Sequence, residues 1–209
     1  MKVTIIGAGN MGRGIGTRLV AGGNEVQLVD RDPAEAQTLA AELGDAASAA
    51  AQDDAFDGDV VVLALYYPGA KDAVEQYREQ LAGKVVVDIT NPVDLSTFDG
   101  LATPPGTSAA EEIAALVPEG TPVVKAFNTT FAGTLAAGEA AGQQLDVLIA
   151  GDDEDAKRKV AGLAEAGGLR PIDVGPLRRA QQLEQLGFLH MSVQEPLGAG
   201  FGSAVKLHW

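Results

Sequence analysis

Three glycines near the start of the chain have the spacing that a dinucleotide pyrophosphate needs. Gly7, Gly9 and Gly12 follow an apolar β-branched run, and helical spacing of apolar residues begins directly after them. Gly7 suits a tight turn, Gly9 lets the backbone approach a pyrophosphate, and Gly12 lets a helix pack closely on the strand. Unpaired N–H groups in the first helical turn favour an anion there. The pattern predicts dinucleotide binding, and the alternative is a glycine turn of purely structural use. The residues predicted to bind in this turn are Gly7, Gly9, Asn10, Met11 and Gly12.

Asp30 and Arg31 follow the second predicted strand and give opposing indications about the coenzyme. A carboxylate at this position hydrogen-bonds the adenosine ribose 2′-OH, which favours NAD. An arginine beside it stacks on adenine or pairs with a 2′-phosphate, which favours NADP. We expect NADH to be used at least as well as NADPH. The structural alternative is that both residues only cap the following helix.

Polar and aromatic residues follow three further predicted strands, where the carboxyl edge of a parallel sheet would lie. Ligands of open α/β sheets bind in the crevice at that edge. Asn128 is predicted to hydrogen-bond a nicotinamide carboxamide or a substrate carbonyl, with Thr129 and Thr130 beside it as further reacting-site groups. The predicted cofactor-lining residues of this crevice are Leu65, Tyr66, Tyr67, Pro68, Asn91 and Pro92.

Strands must alternate with helices to position these groups. The pattern predicts strands at 3–6, 25–29, 60–65, 85–88, 123–127, 145–150 and 169–174, with helices at 11–21, 32–43, 70–81, 132–137, 155–166 and 177–194. Residues 46–52 are interpreted as a short strand followed by a short helix, and Ser108 with Glu111 forms a capping box. The fold class is therefore α/β, a Rossmann-type doubly wound, mostly parallel sheet with a small C-terminal helical extension.

The predicted strands and helices divide the chain into two segments. Residues 1–175 are predicted to form the dinucleotide-binding domain, and residues 176–209 a C-terminal helix and tail that pack on it or on a dimer mate. The last segment carries Phe188, Met191, Phe201 and Trp209, more apolar surface than a terminal appendage needs. We expect a homodimer, and the alternative is that the helix simply covers the sheet.

Composition excludes several classes of function. The chain has 209 residues, a net charge of −14 and no cysteine. The charge argues against partners such as nucleic acid or an anionic membrane surface, and the missing cysteine rules out disulfides and thiolate metal sites. No signal peptide or membrane-spanning run is apparent, so a cytoplasmic location is expected. His190 and His208 lack any metal-ligand spacing, so no metal is expected, and His190 is interpreted as a helix-surface or interface residue.

Several segments together resemble the F420-dependent NADP reductases. They are the glycine turn, the strand at 60–65, Val-Lys-Ala-Phe-Asn-Thr at 124–129, Gly-Asp-Asp at 151–153 and the stretch 168–177. The segment at 124–129 is also similar to the cytoplasmic oxidoreductase domain of six-transmembrane metalloreductases. The resemblance implies hydride transfer between a nicotinamide, NAD(P), and a second coenzyme, F420 or a flavin. It also implies that residues 127–130 line the place where the two rings meet.

Two positions depart from that family pattern. Asn128 stands where the family carries a histidine, and Asp30 replaces the serine of a Ser-Arg pair, so NADP preference is in doubt. The alternative activities are an NAD(P)H-dependent flavin or ferric reductase, or a reductase of a small carbonyl or imine. A different class altogether is a non-catalytic NAD(P)-binding sensor or partner subunit.

Overall fold

The computed structural model describes residues 1–209 and contains one large sheet covered on both faces by helices. The strands are β1 (Lys2–Ile6), β2 (Glu25–Val29), β3 (Ala47–Ala50), β4 (Val60–Leu63), β5 (Val85–Asp88), β6 (Val123–Lys125), β7 (Glu139–Ala140), β8 (Gln143–Gln144), β9 (Asp146–Gly151) and β10 (Arg170–Gly175). The helices are α1 (Asn10–Ala21), α2 (Pro33–Leu43), α3 (Tyr67–Gln76), α4 (Arg78–Leu81), α5 (Ala109–Leu116), α6 (Ala132–Ala137), α7 (Glu154–Ala166), α8 (Ala180–Ser192) and α9 (Gln194–Leu197). None of the helices combines the length and the apolar character that a membrane crossing requires.

The eight strands of the main sheet run in the order β10-β9-β6-β5-β4-β1-β2-β3. The six strands from β3 to β6 are parallel, in the order expected of a Rossmann sheet. Strand β9 joins β6 in the antiparallel direction, and β10 is parallel to β9. The predicted mostly parallel, doubly wound sheet is therefore confirmed. The remaining strands, β7 and β8, form a separate two-stranded hairpin.

Apolar strand residues alternate between two helical layers. On one face, Ile15 and Leu19 of α1, Leu39 of α2 and Val160 of α7 belong to a core of 27 buried residues. On the other face, α3 and α5 cover a core of 17 buried residues. The central strands are buried along their whole length, as expected for a parallel sheet with helices on both sides.

Helix α8 crosses the second face and returns to the carboxyl edge of the parallel strands. Because β10 runs antiparallel to β6, its last residue lies at the amino edge of the main sheet, and α8 starts from there. Leu183 of α8 packs with Leu148 and Ala150 of β9. The far end of α8 and the residues after it consequently lie beside the polar turns that follow β5 and β6.

Several element boundaries differ from the prediction. The helix predicted at residues 70–81 begins at Tyr67, because Pro68 fits the first helical turn, and it breaks before α4. The helix predicted within residues 46–52 is absent, since the Ala51 N–H donates to Asp54 Oδ2 in a turn. The single helix predicted at residues 177–194 is a 3₁₀ turn at Leu177–Arg179 followed by α8 and α9.

Candidate active site

The glycine turn joins β1 to α1 in a geometry that only glycine permits at two positions. Gly7 has φ +110°, and a Cβ there would lie 2.4 Å from the Ala64 carbonyl oxygen. A Cβ on Gly12 would lie 2.1 Å from the Gly7 oxygen, so the helix could not pack this closely on the turn. A Cβ on Gly9 would meet nothing within 4 Å, and no side chain caps α1. The turn therefore fits a pyrophosphate that approaches Gly9 and the free N–H groups of α1.

Asp30 is tied to this turn by two hydrogen bonds. The Ala8 N–H donates to its Oδ2 at 2.7 Å, and the Asp32 N–H donates to its Oδ1 at 2.9 Å. The helix that follows is capped by Asp32 and not by Asp30, since the Ala34 N–H donates to Asp32 Oδ1. Asp30 is half-buried beside the glycine turn, whereas Arg31 is exposed and its guanidinium has no hydrogen bond or ion pair. A carboxylate and a free cation thus stand together at the end of β2.

The turn after β4 lies directly against the glycine turn. The Leu65 side chain lies 3.0 Å from where a Cβ of Gly7 would stand. Tyr66 is exposed, and Tyr67 begins α3. The Tyr67 hydroxyl donates to Glu112 of α5, and burial together with this carboxylate raises the pKa of the Tyr67 phenol. Tyr67 is therefore directed toward α5, and the exposed ring at this edge is Tyr66.

Asn91 and Asn128 lie together at the ends of β5 and β6. The Asn128 side-chain amide donates to Asn91 Oδ1 at 2.9 Å and to the Leu183 carbonyl at 2.8 Å. Asn91 Nδ2 in turn donates to the Asn128 carbonyl at 2.7 Å. A Cβ on Gly187 of α8 would lie 2.5 Å from Asn91 Oδ1, so α8 is seated directly on this pair.

Asn128 is buried, with both amide hydrogens bonded inside the protein and its Oδ1 buried without a partner. The Asn128 side-chain amide therefore links the ends of β5 and β6 to α8 through hydrogen bonds. A direct contact of Asn128 with a bound ring stays a prediction.

The residues around Asn128 are held in an uncommon backbone conformation. Phe127 is buried and has φ +63°, a left-handed conformation that a bulky residue rarely adopts. Thr129 and Thr130 are buried, and the Thr130 hydroxyl donates to the Phe127 carbonyl at 2.7 Å. Strained backbone of this kind clusters at functional sites. The sequence pattern places these residues at the edge of the sheet but does not reveal the strain.

His190 is buried, so the helix-surface alternative predicted for this residue is wrong. Its Nε2 is hydrogen-bonded to Ser203 Oγ at 2.8 Å, and its ring lies 4.3 Å from the Phe131 ring centroid. Burial lowers the pKa of the imidazole, while the backbone of Thr129 acts in the opposite direction. The chain after α8 turns back over this histidine, and this long-range cover cannot be read from helical spacing.

A buried charge cluster behind the crevice was missed at the sequence level. Lys125, at the end of β6, contacts Asp88 of β5 at 2.7 Å and Glu184 of α8 at 2.8 Å, and all three side chains are fully buried. Lys125 follows two valines, so the sequence pattern predicts only that an apolar strand ends there. The sequence does not mark Glu184 as buried, because its neighbours in α8 include the polar residues Gln181, Gln182 and Gln185. Their meeting depends on the antiparallel return of the chain through β9 and β10.

The Rossmann sheet, the glycine turn and the crevice at the carboxyl edge define the class: the chain is an NAD(P)-dependent oxidoreductase. The family described as NADP oxidoreductase, coenzyme F420-dependent, matches residues 2–92. An F420-dependent NADP reductase of Methanocaldococcus jannaschii is 30% identical over 89% of this chain and 89% of its own length. The chain belongs to the F420-dependent NADP reductase family.

Two further relatives extend the comparison. A crystal structure from Arthrobacter sp. FB24, provisionally assigned as an F420-dependent NADP reductase, is 31% identical, covers 100% of both chains and superposes with a TM-score of 0.87. Metalloreductase STEAP3 of Rattus norvegicus is 35% identical over 88% of this chain. The chain spans only 36% of that metalloreductase, so the likeness concerns about a third of the larger protein.

Proposed function

We propose that the chain transfers a hydride between NAD(P)H and a deazaflavin coenzyme of the F420 type. The observation that carries this proposal is similarity along 89% of the chain to an F420-dependent NADP reductase. The glycine turn would bind the pyrophosphate, and the nicotinamide would extend past β1 toward the ends of β4 and β5.

The residues that would line the crevice follow strands β4, β5 and β6. Leu65 lies against the glycine turn, and Tyr66 and Pro68 follow it along the chain. The bonded pair of Asn91 and Asn128 would close the far side of the crevice. Dihydronicotinamide supplies the hydride when it is bound. The chain would contribute proximity, alignment of the two rings and exclusion of water, which together account for large rate enhancements in oriented reactions.

Coenzyme selection would depend on Asp30 and Arg31. The Arg31 guanidinium is exposed and would pair with a 2′-phosphate, which supports use of NADP. Asp30 is fixed beside the same position and would repel that phosphate. We therefore propose that both coenzymes bind and that Asp30 sets the ratio in favour of NAD.

A homodimer is part of the proposal. Four large apolar side chains near the end of α8 and beyond it are exposed, namely Leu189, Leu197, Phe201 and Trp209. Exposed apolar side chains concentrated in one terminal segment support association with a second copy.

The experiment is a spectrophotometric screen of NADH and NADPH, each with F420, with FMN and with no acceptor. We expect oxidation of the dihydronicotinamide only when F420 is present. Oxidation with FMN alone would favour a flavin reductase. Binding of the dinucleotide without oxidation under any condition would favour a non-catalytic binding protein.

A further inference from the structure

A closed group of charges lies beneath the proposed crevice. Lys125 Nζ donates to Asp88 Oδ2 at 2.7 Å, to Glu184 Oε1 at 2.8 Å and to the Thr90 carbonyl at 2.6 Å. The three ionisable side chains are buried, with side-chain exposures of 0–1%. None of them has a place in the binding of the dinucleotide as proposed above.

The hydrogen bonds define the charge of this group. Asp88 Oδ1 accepts from the Thr90 N–H, and the Glu184 oxygens accept from the Ala109 and Ala110 N–H groups. Every partner of the two carboxylates is a donor, so a protonated carboxyl would find no acceptor for its hydrogen. Burial, together with the neighbouring Asp88, raises the pKa of Glu184, and Lys125 and the Ala109 N–H offset part of that rise. The all-donor pattern of hydrogen bonds assigns two anions and one cation to the group.

The net negative charge of this cluster lies close to the place where the nicotinamide would react. Lys125 Nζ contacts the carbonyl of Thr90, the residue directly before Asn91 and Pro92 of the crevice. Pro92 is four positions after Asp88, which limits their Cα separation to about 14 Å. The N-terminus of α5 offsets part of the excess, because two of its N–H groups point at Glu184.

Hydride transfer changes the charge of the nicotinamide. The C4–H bond breaks with its electron pair, a C–H bond forms on the acceptor ring, one proton from solvent completes the acceptor, and the nicotinamide becomes a cation. For a charge separation of about 12 Å, which is of the order of the limit of about 14 Å between Asp88 and Pro92, an effective dielectric of about 20 gives a roughly tenfold change in the relative affinity for the cationic and the neutral ring. The offset by α5 reduces this to about three- to tenfold.

We propose that the buried cluster of Asp88, Glu184 and Lys125 carries a net negative charge that favours binding of the oxidised, cationic nicotinamide. This preference biases the enzyme toward hydride donation from NAD(P)H. This inference rests on the proposed function, since it requires a nicotinamide in the crevice. A purely structural role, in which the cluster ties β5, β6, α5 and α8 together, would change stability without changing the relative affinity for the two redox forms.

The test measures dissociation constants of the oxidised and the reduced coenzyme by isothermal titration, with both NAD and NADP. Glu184→Gln and Asp88→Asn each remove one negative charge and keep the side-chain shape. Both variants should raise the ratio of the oxidised-form to the reduced-form dissociation constant about three- to tenfold. Asp59→Asn is the matched control, because Asp59 is exposed just before β4 at the opposite edge of the sheet. Its ratio should stay within about 1.5-fold of the wild type.

The wild type also gives a result that does not depend on the variants folding. It should bind the oxidised coenzyme at least as tightly as the reduced one, and a reduced form that binds more tightly than the oxidised form overturns the inference. An unchanged ratio in a folded Glu184→Gln or Asp88→Asn protein overturns it as well, while the proposed function stands. Failure of the wild type to bind either form overturns the proposed function together with the inference.

Discussion

Replacing Asp30 by serine should shift coenzyme preference toward NADPH. Asp30 stands at the end of β2, where the ribose of a bound dinucleotide places its 2′ position. Its carboxylate cannot swing away freely, because the Ala8 and Asp32 N–H groups hold its two oxygens at 2.7 and 2.9 Å. A 2′-phosphate would therefore meet a fixed negative charge, with the free guanidinium of Arg31 as its opposing attraction.

The magnitude follows from Coulomb's law at a partly solvated site. A carboxylate roughly 6 Å from a phosphate of charge about −1.5 to −2, at an effective dielectric between about 40 and 80, gives a repulsion of about 1–3 kcal/mol. Removing it should change the NADPH-to-NADH ratio of kcat/KM about 5- to 100-fold, since about 1.4 kcal/mol corresponds to tenfold. The shift should shrink at high salt because the site is half-exposed.

The assay compares wild type, Asp30→Ser and Asp30→Asn with NADH and NADPH under one set of conditions. Asparagine keeps an acceptor oxygen for the glycine turn and removes only the charge. Both variants should move the ratio in the same direction if charge decides it. Unchanged ratios in both variants would remove Asp30 from the nucleotide site. A change confined to Asp30→Ser would show that the hydrogen bond to Ala8 matters and the charge does not.

Four further predictions address the crevice, the buried histidine, the chain terminus and assembly. Asn128→Ala should slow hydride transfer far more than it weakens binding of the adenosine half, and unchanged turnover with every acceptor would contradict this. The imidazole of His190 should titrate below its ordinary pKa of 6.5 in an NMR titration, with its signal assigned by its loss in His190→Gln. Burial opposes ionisation of Asp146, but Arg170 and Lys206 lower its pKa from 3.8 to about 2. The ionised Asp146 therefore contributes about 2.5 kcal/mol to the free energy of unfolding above pH 4, and this contribution should be lost as the pH falls toward 2. Thermal unfolding of Asp146→Asn should show a flatter dependence on pH in that range. Light scattering at micromolar concentration should give a dimer that Leu189→Glu weakens, and a monomeric wild type would contradict the assignment.

Local chemistry made much of the fold predictable. The boundaries of β2 match the prediction because Gly22 and Gly23 end the preceding helix and a polar turn follows the strand. Ser108 forms the predicted capping box, donating to Glu111 Oε2 at 2.7 Å and accepting from the Glu111 N–H at 3.2 Å. Each of these features depends on residues within four positions of one another.

Features that depend on long-range contacts were not predictable. His190 lies seven positions after Leu183 on the buried face of α8, but its polar side chain gives no sign of the chain around Ser203 that folds back and covers it. Lys125 and Glu184 are 59 positions apart and meet only because α8 returns across the second face of the sheet. The candidate site falls between these cases. The positions of its turns could be predicted from the ends of the strands. The hydrogen bonds that join Asn91 and Asn128 to each other and to α8 could not be predicted.

The central claim is direct hydride transfer between a nicotinamide and a deazaflavin, and isotope tracing tests it most directly. The protein would be mixed with F420 and with NADH or NADPH deuterated at the transferable C4 position, and the reduced F420 analysed by mass spectrometry. We predict that one deuterium appears on the reduced F420 and that transfer is slower than with unlabelled coenzyme. Reduced F420 that carries only hydrogen from solvent, or no reduction of F420 with either coenzyme, would contradict the claim.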